Sequence, residues 1–382
     1  MSDFNVKKRV FGKLGIEVSS FGLGCMRFPM KDVDGKRVVD EEIAKKIIRT
    51  AADNGVNYFD TAYVYSDKQN EGVLGRALED GYREKVYVAT KLPLWECSGP
   101  EDMERVFEEQ LKFLGTDYID FYLVHALGAK RWEEAKAWGI REFLDKLKAE
   151  GRIKYAAFSF HDNYEAFKKI INEYDWDMCQ IQFNFMDINN QAGLKGLMLA
   201  GSKNIPVVIM EGLLGGKLAS APDSVMKLYD SYSEKRSPAE WGFRWLCNFP
   251  QVSTVLSGVT SLEQLYDNMR IFSEADANAM SKEELDIIDK VREEYINRTK
   301  IGCTGCEYCM PCPSEVNIPR IFRIWNDAFQ YSNDISGNDR YARLVREGHD
   351  ASKCAQCGAC EAACPQQLNI IEKLVQANKE LV

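Results

Sequence analysis

The chain has 382 residues, of which 45% are hydrophobic and 28% are charged. This length and balance predict one large folded domain with a smaller one and exclude a disordered or collagen-like chain. The formal net charge is −9, so the bulk charge does not favour binding to nucleic acid or to an anionic membrane surface. The first residues lack the apolar core of a signal peptide, and no later stretch is apolar enough to span a membrane. These features predict a cytoplasmic protein.

The chain begins with a predicted β-hairpin at residues 9–20, with Gly12 or Gly15 near its turn. Next, the stretch 41–55 has a helical spacing that places Ile43, Ile47, Ile48 and Ala51 on one face, with Gly55 just after its end. Strand-like runs rich in β-branched and aromatic residues alternate with such helices. The predicted strands are 19–24, 57–60, 86–91, 119–124, 153–159, 178–183, 206–210 and 252–256.

Eight strand and helix pairs in about 300 residues favour a (β/α)8 TIM barrel over an open doubly wound sheet. No GxGxxG motif follows the first strand, which also weakens the open-sheet alternative. We expect the N-terminal hairpin to close one end of the barrel.

Cysteines are concentrated near the end of the chain, where eight of the twelve lie between Cys303 and Cys364. This change in density predicts a barrel domain at 1–298 and a small domain at 299–382, with a linker at 292–300. In a cytoplasmic protein such a cluster favours metal or redox chemistry over disulfides.

The eight cysteines form two runs, each followed by proline. The first run has the spacing C-x2-C-x2-C-x2-C-P, and the second has C-x2-C-x2-C-x3-C-P. Three closely spaced thiolates can hold one part of an iron–sulfur cubane. Structural zinc is the alternative, because four-cysteine zinc sites also use C-x2-C pairs, but zinc does not explain the additional cysteines. The predicted metal ligands are Cys303, Cys306, Cys309, Cys312, Cys354, Cys357, Cys360 and Cys364.

The second run resembles the bacterial ferredoxin pattern in full, and the first has one residue fewer before its last cysteine. The resemblance implies two [4Fe–4S] clusters with crossed ligation in a mainly helical ferredoxin-like domain. Cys364 then joins the first three cysteines of the first run, and Cys312 joins the first three of the second. Helical spacing is also present at 318–331 and 369–381.

Polar residues follow successive predicted strands of the barrel. Asp60 ends the second strand, Lys91 the third and His125 the fourth, while Tyr65 lies five residues after Asp60. The C-terminal ends of barrel strands converge on one face. A lysine ammonium beside a tyrosine lowers the phenol pKa, and a carboxylate keeps that lysine charged. This arrangement predicts a proton donor at Tyr65, with His125 orienting a substrate oxygen.

The tetrad and the run DTAYVY resemble the aldo-keto reductase family over residues 8–295. SFGLGCMRF resembles its first strand, and LEQLYDN resembles its adenosine-binding helix. With the cysteine runs, the whole chain is similar to the iron–sulfur branch of that family. The resemblance implies an NADP or NAD cofactor contacted by Ser159, Gln180, Met210, Ser261, Gln264 and Asn268. Phe160, Gly258 and Gln264 depart from residue types that bind the cofactor in members of the family. The sequence therefore leaves the choice between NADP and NAD open. Lys217 or Arg244 could supply the missing positive charge.

The resemblance implies an oxidoreductase that transfers a hydride between NAD(P)H and a small carbonyl or alcohol substrate. In the alternative, the clusters carry electron transfer to a redox protein and the barrel is a docking scaffold. A third interpretation joins both, with single electrons at the clusters and a two-electron reaction in the barrel. The tryptophans Trp95, Trp132 and Trp138 in predicted loops suggest an apolar or aromatic substrate.

Overall fold

The computed structural model describes residues 4–332 and 338–382. Two compact units make up the chain. The first contains Met1–Gly215 and Glu240–Met280, and the second contains Gly216–Ala239 and Ser281–Val382. The domain boundary at residues 298 and 299 stays a prediction. Within the described ranges, no helix is both long and apolar enough to cross a bilayer.

Eight parallel strands close into a barrel in the first unit, and each pairs with its neighbours along the chain. The TIM-barrel prediction is therefore confirmed, and all eight predicted strands are present within a few residues of their expected ends. The barrel strands are β3 (Phe21–Gly24), β6 (Tyr58–Asp60), β7 (Tyr87–Leu92), β8 (Ile119–Leu127), β9 (Ile153–Phe160), β10 (Met178–Gln182), β11 (Val207–Met210) and β12 (Val252–Ser257).

Helices follow the strands as the apolar spacing predicts. The α-helices are α1 (Glu41–Asp53), α2 (Asn70–Ala77), α3 (Pro100–Leu114), α4 (Ala129–Ala137), α5 (Ile140–Ala149), α6 (Tyr164–Asn172), α7 (Gly193–Ser202), α8 (Asp223–Tyr229), α9 (Pro238–Cys247), α10 (Leu262–Glu274), α11 (Lys282–Asn297), α12 (Ile318–Tyr331), α13 (Asp339–Glu347), α14 (Ala359–Ala363) and α15 (Ile370–Leu381).

Helix α1 shows how the sequence specifies these elements. Asp40 caps its first turn by accepting from the amide of Ile43, which satisfies a backbone donor that the helix leaves free. Its buried face consists of Ala44, Ile47, Ile48 and Ala51. Ile43 is 41% exposed, so its predicted place on the buried face is wrong. Residue 44, not 43, completes the i, i+3, i+4, i+7 stripe.

The N-terminal hairpin closes the end of the barrel where the strands begin. Strands β1 (Lys8–Val10) and β2 (Glu17–Ser19) pair antiparallel. Phe11, between them, is fully buried in a cluster with Tyr58 and Phe121, and its ring lies 5.4 Å from that of Phe121. The expectation of a hairpin closing the barrel is confirmed.

A second hairpin joins β4 (Met30–Val33) to β5 (Lys36–Val39), and the sequence analysis did not anticipate it. Its turn is Asp34-Gly35, with φ of 51° and 75°. Positive φ at both central residues is the geometry of a tight two-residue hairpin turn, and Asp-Gly is one of its preferred dipeptides.

The C-terminal part of the second unit forms its own core. Apolar residues of α12, including Ile321, Phe322 and Trp325, pack with α13 and α15, and six of the eight clustered cysteines pack against this core. The predicted linker is wrong over residues 292–297, because α11 continues to Asn297. Arg298 then donates to the carbonyls of Phe329 and Ser332.

Candidate active site and cysteine sites

Four polar residues predicted from the sequence lie together at the C-terminal ends of three neighbouring strands. Asp60 is the last residue of β6, Lys91 is the penultimate residue of β7, and His125 lies near the end of β8. Lys91 Nζ donates to Asp60 Oδ1 at 2.6 Å, to the Thr61 carbonyl at 2.7 Å and to the Tyr65 hydroxyl at 3.2 Å. The ammonium therefore joins the carboxylate to the phenol.

Burial governs the charges in this group. Lys91 and Asp60 are 1% and 3% exposed. Burial raises the pKa of Asp60, and the neighbouring Lys91 counters part of that effect. Burial lowers the pKa of Lys91, but attraction to Asp60 and Tyr65 outweighs it and the net pKa is raised. Lys91 is therefore held as an ammonium.

The expected lowering of the Tyr65 pKa is wrong as a net effect. Burial raises the pKa of Tyr65 more than Lys91 lowers it, and the Asp60 carboxylate raises it further. The sequence reasoning counted the neighbouring charge but not the burial of the phenol. Tyr65 is accordingly protonated at neutral pH, the form that a proton donor requires.

His125 is a neutral imidazole in this setting. Burial lowers the pKa of His125 to about 2, with further lowering by Lys91, His161 and Arg131. Its ring lies edge-on to Tyr65 with the centroids 6.2 Å apart, and 4.9 Å from the ring of Trp95. Its Nδ1 is buried and has no hydrogen-bond partner.

An irregularity in β8 positions the residues around His125. The register of β8 with β9 shifts between Val124 and Leu127, and Ala126 has φ of 50°. The amide of Ala126 donates to Ser159 Oγ at 2.7 Å, and its carbonyl accepts from Arg131 Nη1 at 2.8 Å. Bulges of this kind re-aim side chains beside active sites.

Two predicted cofactor residues face each other on neighbouring strands. Ser159 of β9 and Gln180 of β10 are direct partners in the parallel ladder, and both are 1% exposed. Gln180 Oε1 is buried without a hydrogen-bond partner. A buried amide oxygen of this kind is satisfied when a ligand donates to it, so the pair fits the amide of a nicotinamide. Met210, also predicted, is the last residue of β11 and is half-buried.

The other three predicted cofactor residues lie in the first turns of α10. Ser261 caps the helix by accepting from the amide of Gln264 at 3.3 Å. Gln264 Oε1 accepts from the amide of Thr260 at 2.9 Å. Asn268 is 7% exposed and donates to Ser257 Oγ at 3.1 Å. Ser261 and Gln264 thus order the start of the helix, and Asn268 ties it to β12.

The substitute cations suggested by the sequence are occupied elsewhere. Lys217 pairs with Asp327 at 3.0 Å, and Arg244 pairs with Glu240 and Glu274. The sequence analysis missed Arg27, which follows β3. Its Nη2 donates to the Gly215 carbonyl at 3.1 Å.

Arg27 also passes close over Gly258, where a Cβ would lie 3.1 Å from the Arg27 Cβ. The arginine therefore occupies the space that a side chain at residue 258 would fill. Gly258 was the sequence signal that could have pointed to Arg27, because a cation is expected at residue 258 and glycine is present there.

A buried polar network behind Lys91 was also missed. Glu71 of α2 is fully buried and accepts from Thr90 Oγ1 at 2.5 Å and from Gln110 Nε2 at 2.8 Å. Gln110 Nε2 also donates to the Lys91 carbonyl at 3.1 Å. Burial raises the pKa of Glu71 to about 7, against the lowering effect of the two hydrogen bonds. The sequence offered no signal beyond a glutamate in an otherwise ordinary helix.

The tryptophans suggested as substrate contacts have different surroundings. Trp132 is fully buried and donates to Glu173 at 2.6 Å, so it belongs to the packing between helices. Residues 129–137 form α4 and not a loop, and Trp138 follows its end. Trp95 is 45% exposed and lies against His125.

The eight clustered cysteines surround two cavities in the second unit. One cavity is lined by Cys303, Cys306, Cys309 and Cys364. The other has a volume of about 140 Å³, and the cysteines that line it are Cys309, Cys312, Cys354, Cys357 and Cys360. Each cavity thus contains three cysteines of one run with the last cysteine of the other, and Cys309 lines both cavities. The residues present fit polynuclear clusters, because at least four thiols line each cavity.

Together, the closed parallel barrel and the Tyr, Lys, Asp and His group define an oxidoreductase of the aldo-keto reductase type. Residues 20–293 match the aldo/keto reductase family, and the chain belongs to that family. A "4Fe-4S dicluster domain" matches residues 302–370, so the C-terminal region is an iron–sulfur ferredoxin domain.

Relatives and solved structures agree with this assignment. The chain is 27% identical over 311 residues to the "Uncharacterized oxidoreductase YqkF" of Bacillus subtilis, covering 73% of this chain and 94% of that protein. Its fold is similar to the aldo-keto reductase AKR11C1 of Bacillus halodurans (TM-score 0.63, 24% identity, 75% of this chain and 96% of that one). It is also similar to an aldo/keto reductase of Klebsiella pneumoniae in complex with NADP and acetate (TM-score 0.60, 24% identity, 75% and 96%).

Proposed function

We propose that the barrel catalyses the reversible reduction of a small carbonyl compound by NADPH. The observation that carries this proposal is the chain of contacts from Asp60 through the Lys91 ammonium to the Tyr65 hydroxyl. It supplies a protonated phenol, fixed by a cation, at the face of the barrel where substrates bind. A docking scaffold with no chemistry of its own would not need this buried charged group.

Tyr65 gives its proton to the carbonyl oxygen during reduction. As negative charge develops on the phenol, Lys91 stabilises it from 3.2 Å, and Asp60 keeps Lys91 charged throughout. The phenol regains its proton from solvent after the alcohol leaves. Oxidation of an alcohol uses the same groups in reverse.

His125 orients the substrate oxygen as a neutral donor. Nδ1 is buried and has no hydrogen-bond partner. We therefore place the proton of the neutral ring on Nε2, so that no buried N–H is left without an acceptor. Nε2–H then donates to the oxygen that Tyr65 protonates. A neutral imidazole beside Lys91 also avoids placing a second positive charge next to the ammonium.

The cofactor is held by residues at the ends of β9, β10 and β11 and at the start of α10. Ser159 and Gln180 would hold the nicotinamide amide, Met210 would contact the nicotinamide, and Ser261, Gln264 and Asn268 would bind the adenosine end. When bound, the reduced nicotinamide supplies a hydride to the carbonyl carbon. The matched Klebsiella pneumoniae structure, which contains NADP, supports the choice of cofactor class.

Arg27 gives this chain a cation for a phosphate of the dinucleotide. It contacts Gly215 and lies close to Gly258, and no ion pair with an acidic group occupies it among the described residues. We assign it to the additional phosphate of NADP, which favours NADP over NAD.

The C-terminal domain would hold two [4Fe–4S] clusters, one bound by Cys303, Cys306, Cys309 and Cys364 and the other by Cys312, Cys354, Cys357 and Cys360. Bound clusters accept and donate single electrons. The chain's own contribution is to hold the thiolates around two separate cavities against the apolar core of α12 and α15. A redox protein is the proposed partner for these electrons.

The proposal is tested by anaerobic assays of aldehyde-dependent NADPH oxidation with the holoprotein and with Tyr65→Phe. The variant should lose at least about 100-fold in kcat, which is the usual range for a general acid, while NADPH affinity changes less than about twofold. The Tyr118→Phe variant is the control because Tyr118 lies before β8, at the opposite end of the barrel strands. Full activity in Tyr65→Phe would remove Tyr65 as the proton donor.

A further inference from the structure

A second cation lies close to the catalytic group, in the first turn of α4. Arg131 Nη1 donates to the Ala126 carbonyl at 2.8 Å, and the guanidinium lies 4.8 Å from the centroid of the Trp95 ring. The residues that the structure describes place no acidic side chain in an ion pair with it. The positive charge is therefore fixed in position but not neutralised.

A continuous series of ring contacts leads from this cation to the proton donor. Trp95, under Arg131, lies 4.9 Å from His125, and His125 lies 6.2 Å from Tyr65. Arg131 also acts electrostatically on both His125 and His161. A ligand that reaches Tyr65 and His125 thus has Arg131 along the same wall of the site.

The acidic residue that contacts the start of α4 is used for another purpose. Asp162 accepts from the amide of Ala129 at 2.8 Å through Oδ2 and from the amide of Asn163 at 2.7 Å through Oδ1. These bonds hold the start of α4 to the segment after β9. The carboxylate of Asp162 therefore fixes the helix that carries Arg131 and leaves the guanidinium to a ligand.

The backbone that holds Arg131 is itself strained. Ala126 adopts φ of 50°, which costs free energy for a residue with a Cβ and is found most often at functional sites. The strained residue links Ser159 to Arg131 through its amide and its carbonyl. With Nη1 bound to that carbonyl, Nε and Nη2 form a planar edge that matches both oxygens of a carboxylate.

We propose that Arg131 binds a carboxylate on the carbonyl substrate, so that the natural substrate class is aldehyde or keto acids. This inference rests on the proposed carbonyl reduction and specifies its substrate. The carboxylate pairs with Arg131 while the carbonyl oxygen lies at Tyr65 and His125. The apolar face of Trp95 contacts the carbon chain between them.

The test compares acids with their neutral esters under anaerobic conditions with NADPH. The substrates are 4-carboxybenzaldehyde and succinic semialdehyde, each with its methyl ester. Wild-type protein should show a higher kcat/KM for the acid than for the ester in at least one pair. Arg131→Gln should lower the acid-to-ester ratio at least about tenfold, mainly through KM, as loss of a charge-assisted hydrogen bond requires.

Two further variants separate the geometry of Arg131 from its charge. Arg131→Lys keeps a cation but loses the planar edge, so we expect an intermediate ratio. Lys130→Gln is the matched control, because Lys130 is the preceding residue and its side chain is 90% exposed. It should keep the wild-type ratio. An equal loss in Lys130→Gln would show a general effect of charge and overturn the assignment.

The outcomes distinguish failure of this inference from failure of the proposed function. NADPH-dependent reduction of esters with no preference for acids in either pair overturns the role of Arg131 and leaves carbonyl reduction intact. Glyceraldehyde 3-phosphate is also compared with glyceraldehyde. If this phosphate raises kcat/KM more than the carboxylate does in either acid and ester pair, the carboxylate assignment is overturned. If no carbonyl compound is reduced, calorimetry of terephthalate binding still tests the carboxylate site. Binding to wild type that is lost in Arg131→Gln supports the site. No binding to wild type overturns it.

Discussion

The Lys91 ammonium donates to Oδ1 of Asp60 across 2.6 Å, and both side chains lie almost completely out of contact with solvent. A buried ion pair adds little net stability, but removing one partner leaves an uncompensated charge. Asp60 is therefore required to keep an ammonium buried next to Tyr65. The rest of the barrel supplies the free energy that burial of the two charges costs.

Asp60→Asn is expected to destabilise the barrel by about 3–5 kcal/mol, because the buried Lys91 loses its counter-charge. The pKa of Lys91 falls in this variant, since burial is no longer opposed by Asp60. Chemical unfolding of the anaerobic holoprotein measures the first effect, and the pH profile of kcat measures the second.

Asp80→Asn is the matched control for Asp60→Asn, because Asp80 pairs with Arg49 at an exposed site. Exposed pairs add little to stability, so this control should unfold as the wild type does. Equal stability of the Asp60→Asn and Asp80→Asn variants would contradict the account of the buried pair.

Glu71 makes stability depend on pH near neutrality. Its pKa is about 7 in the folded chain against an ordinary 4.5, so between these values the folded state holds a proton that the unfolded state has lost. Stability then falls as pH rises through this window. From pH 6 to pH 8 the loss attributable to Glu71 is about 1 kcal/mol.

Glu71→Gln has no proton to lose, and its amide oxygen can still accept from Thr90 and Gln110. We expect the variant to lose less stability than wild type between pH 6 and pH 8, measured by denaturant unfolding at both values. Parallel pH dependence in the two proteins would show that Glu71 does not titrate in this range.

Crossed ligation makes a spectroscopic prediction. Cys364→Ala and Cys306→Ala should lose the same cluster, because Cys364 and Cys306 line the same cavity. The electron paramagnetic resonance spectra of the two reduced variants should coincide and differ from that of Cys357→Ala, whose cysteine lines the other cavity. Iron content should fall from about eight atoms per chain to about four in each.

Cys97→Ala is the control for the cluster variants, because this cysteine lies in the barrel unit, outside both runs. It should keep the full iron content. If the spectrum of Cys364→Ala matched that of Cys357→Ala instead, each run of cysteines would hold its own cluster and the crossed arrangement would be wrong.

Arg27→Met should raise the Kd for NADPH by about tenfold or more and leave the Kd for NADH within about twofold, as loss of one phosphate contact implies. Fluorescence titration with both cofactors measures the ratio. Arg37→Met, in the exposed hairpin strand β5, serves as the control. An equal loss of affinity for both cofactors would assign Arg27 to the phosphates that NADPH and NADH share.

The sequence specified the barrel well because its signals are local and repeated. Each strand is a short apolar run, and each helix has a stripe at 3.6-residue spacing. Asp60, Lys91 and His125 could be placed together because strand ends of one barrel meet at one face. The eight cysteines were predicted as ligands from their spacing, and their crossed grouping into two quartets was implied by the resemblance to bacterial ferredoxins.

The remaining site residues were not predictable from local pattern. Arg27 and Arg131 become relevant only through backbone contacts with Gly215 and Ala126, which depend on loop geometry and a bulge. The raised pKa of Tyr65 depends on its burial among residues distant in sequence. The Asp34-Gly35 hairpin, in contrast, had a local signal that the sequence analysis did not use.

The most direct test of the central claim follows the hydrogen atom in the reaction. Anaerobic protein is incubated with an aldehyde and NADPH deuterated at C4 of the nicotinamide, each face in turn, and the alcohol is analysed by mass spectrometry. The account predicts one deuterium on the carbinol carbon from one face only, and product formation at least about 100-fold slower with Tyr65→Phe. Alcohol formed without deuterium from either face would contradict hydride transfer in the barrel.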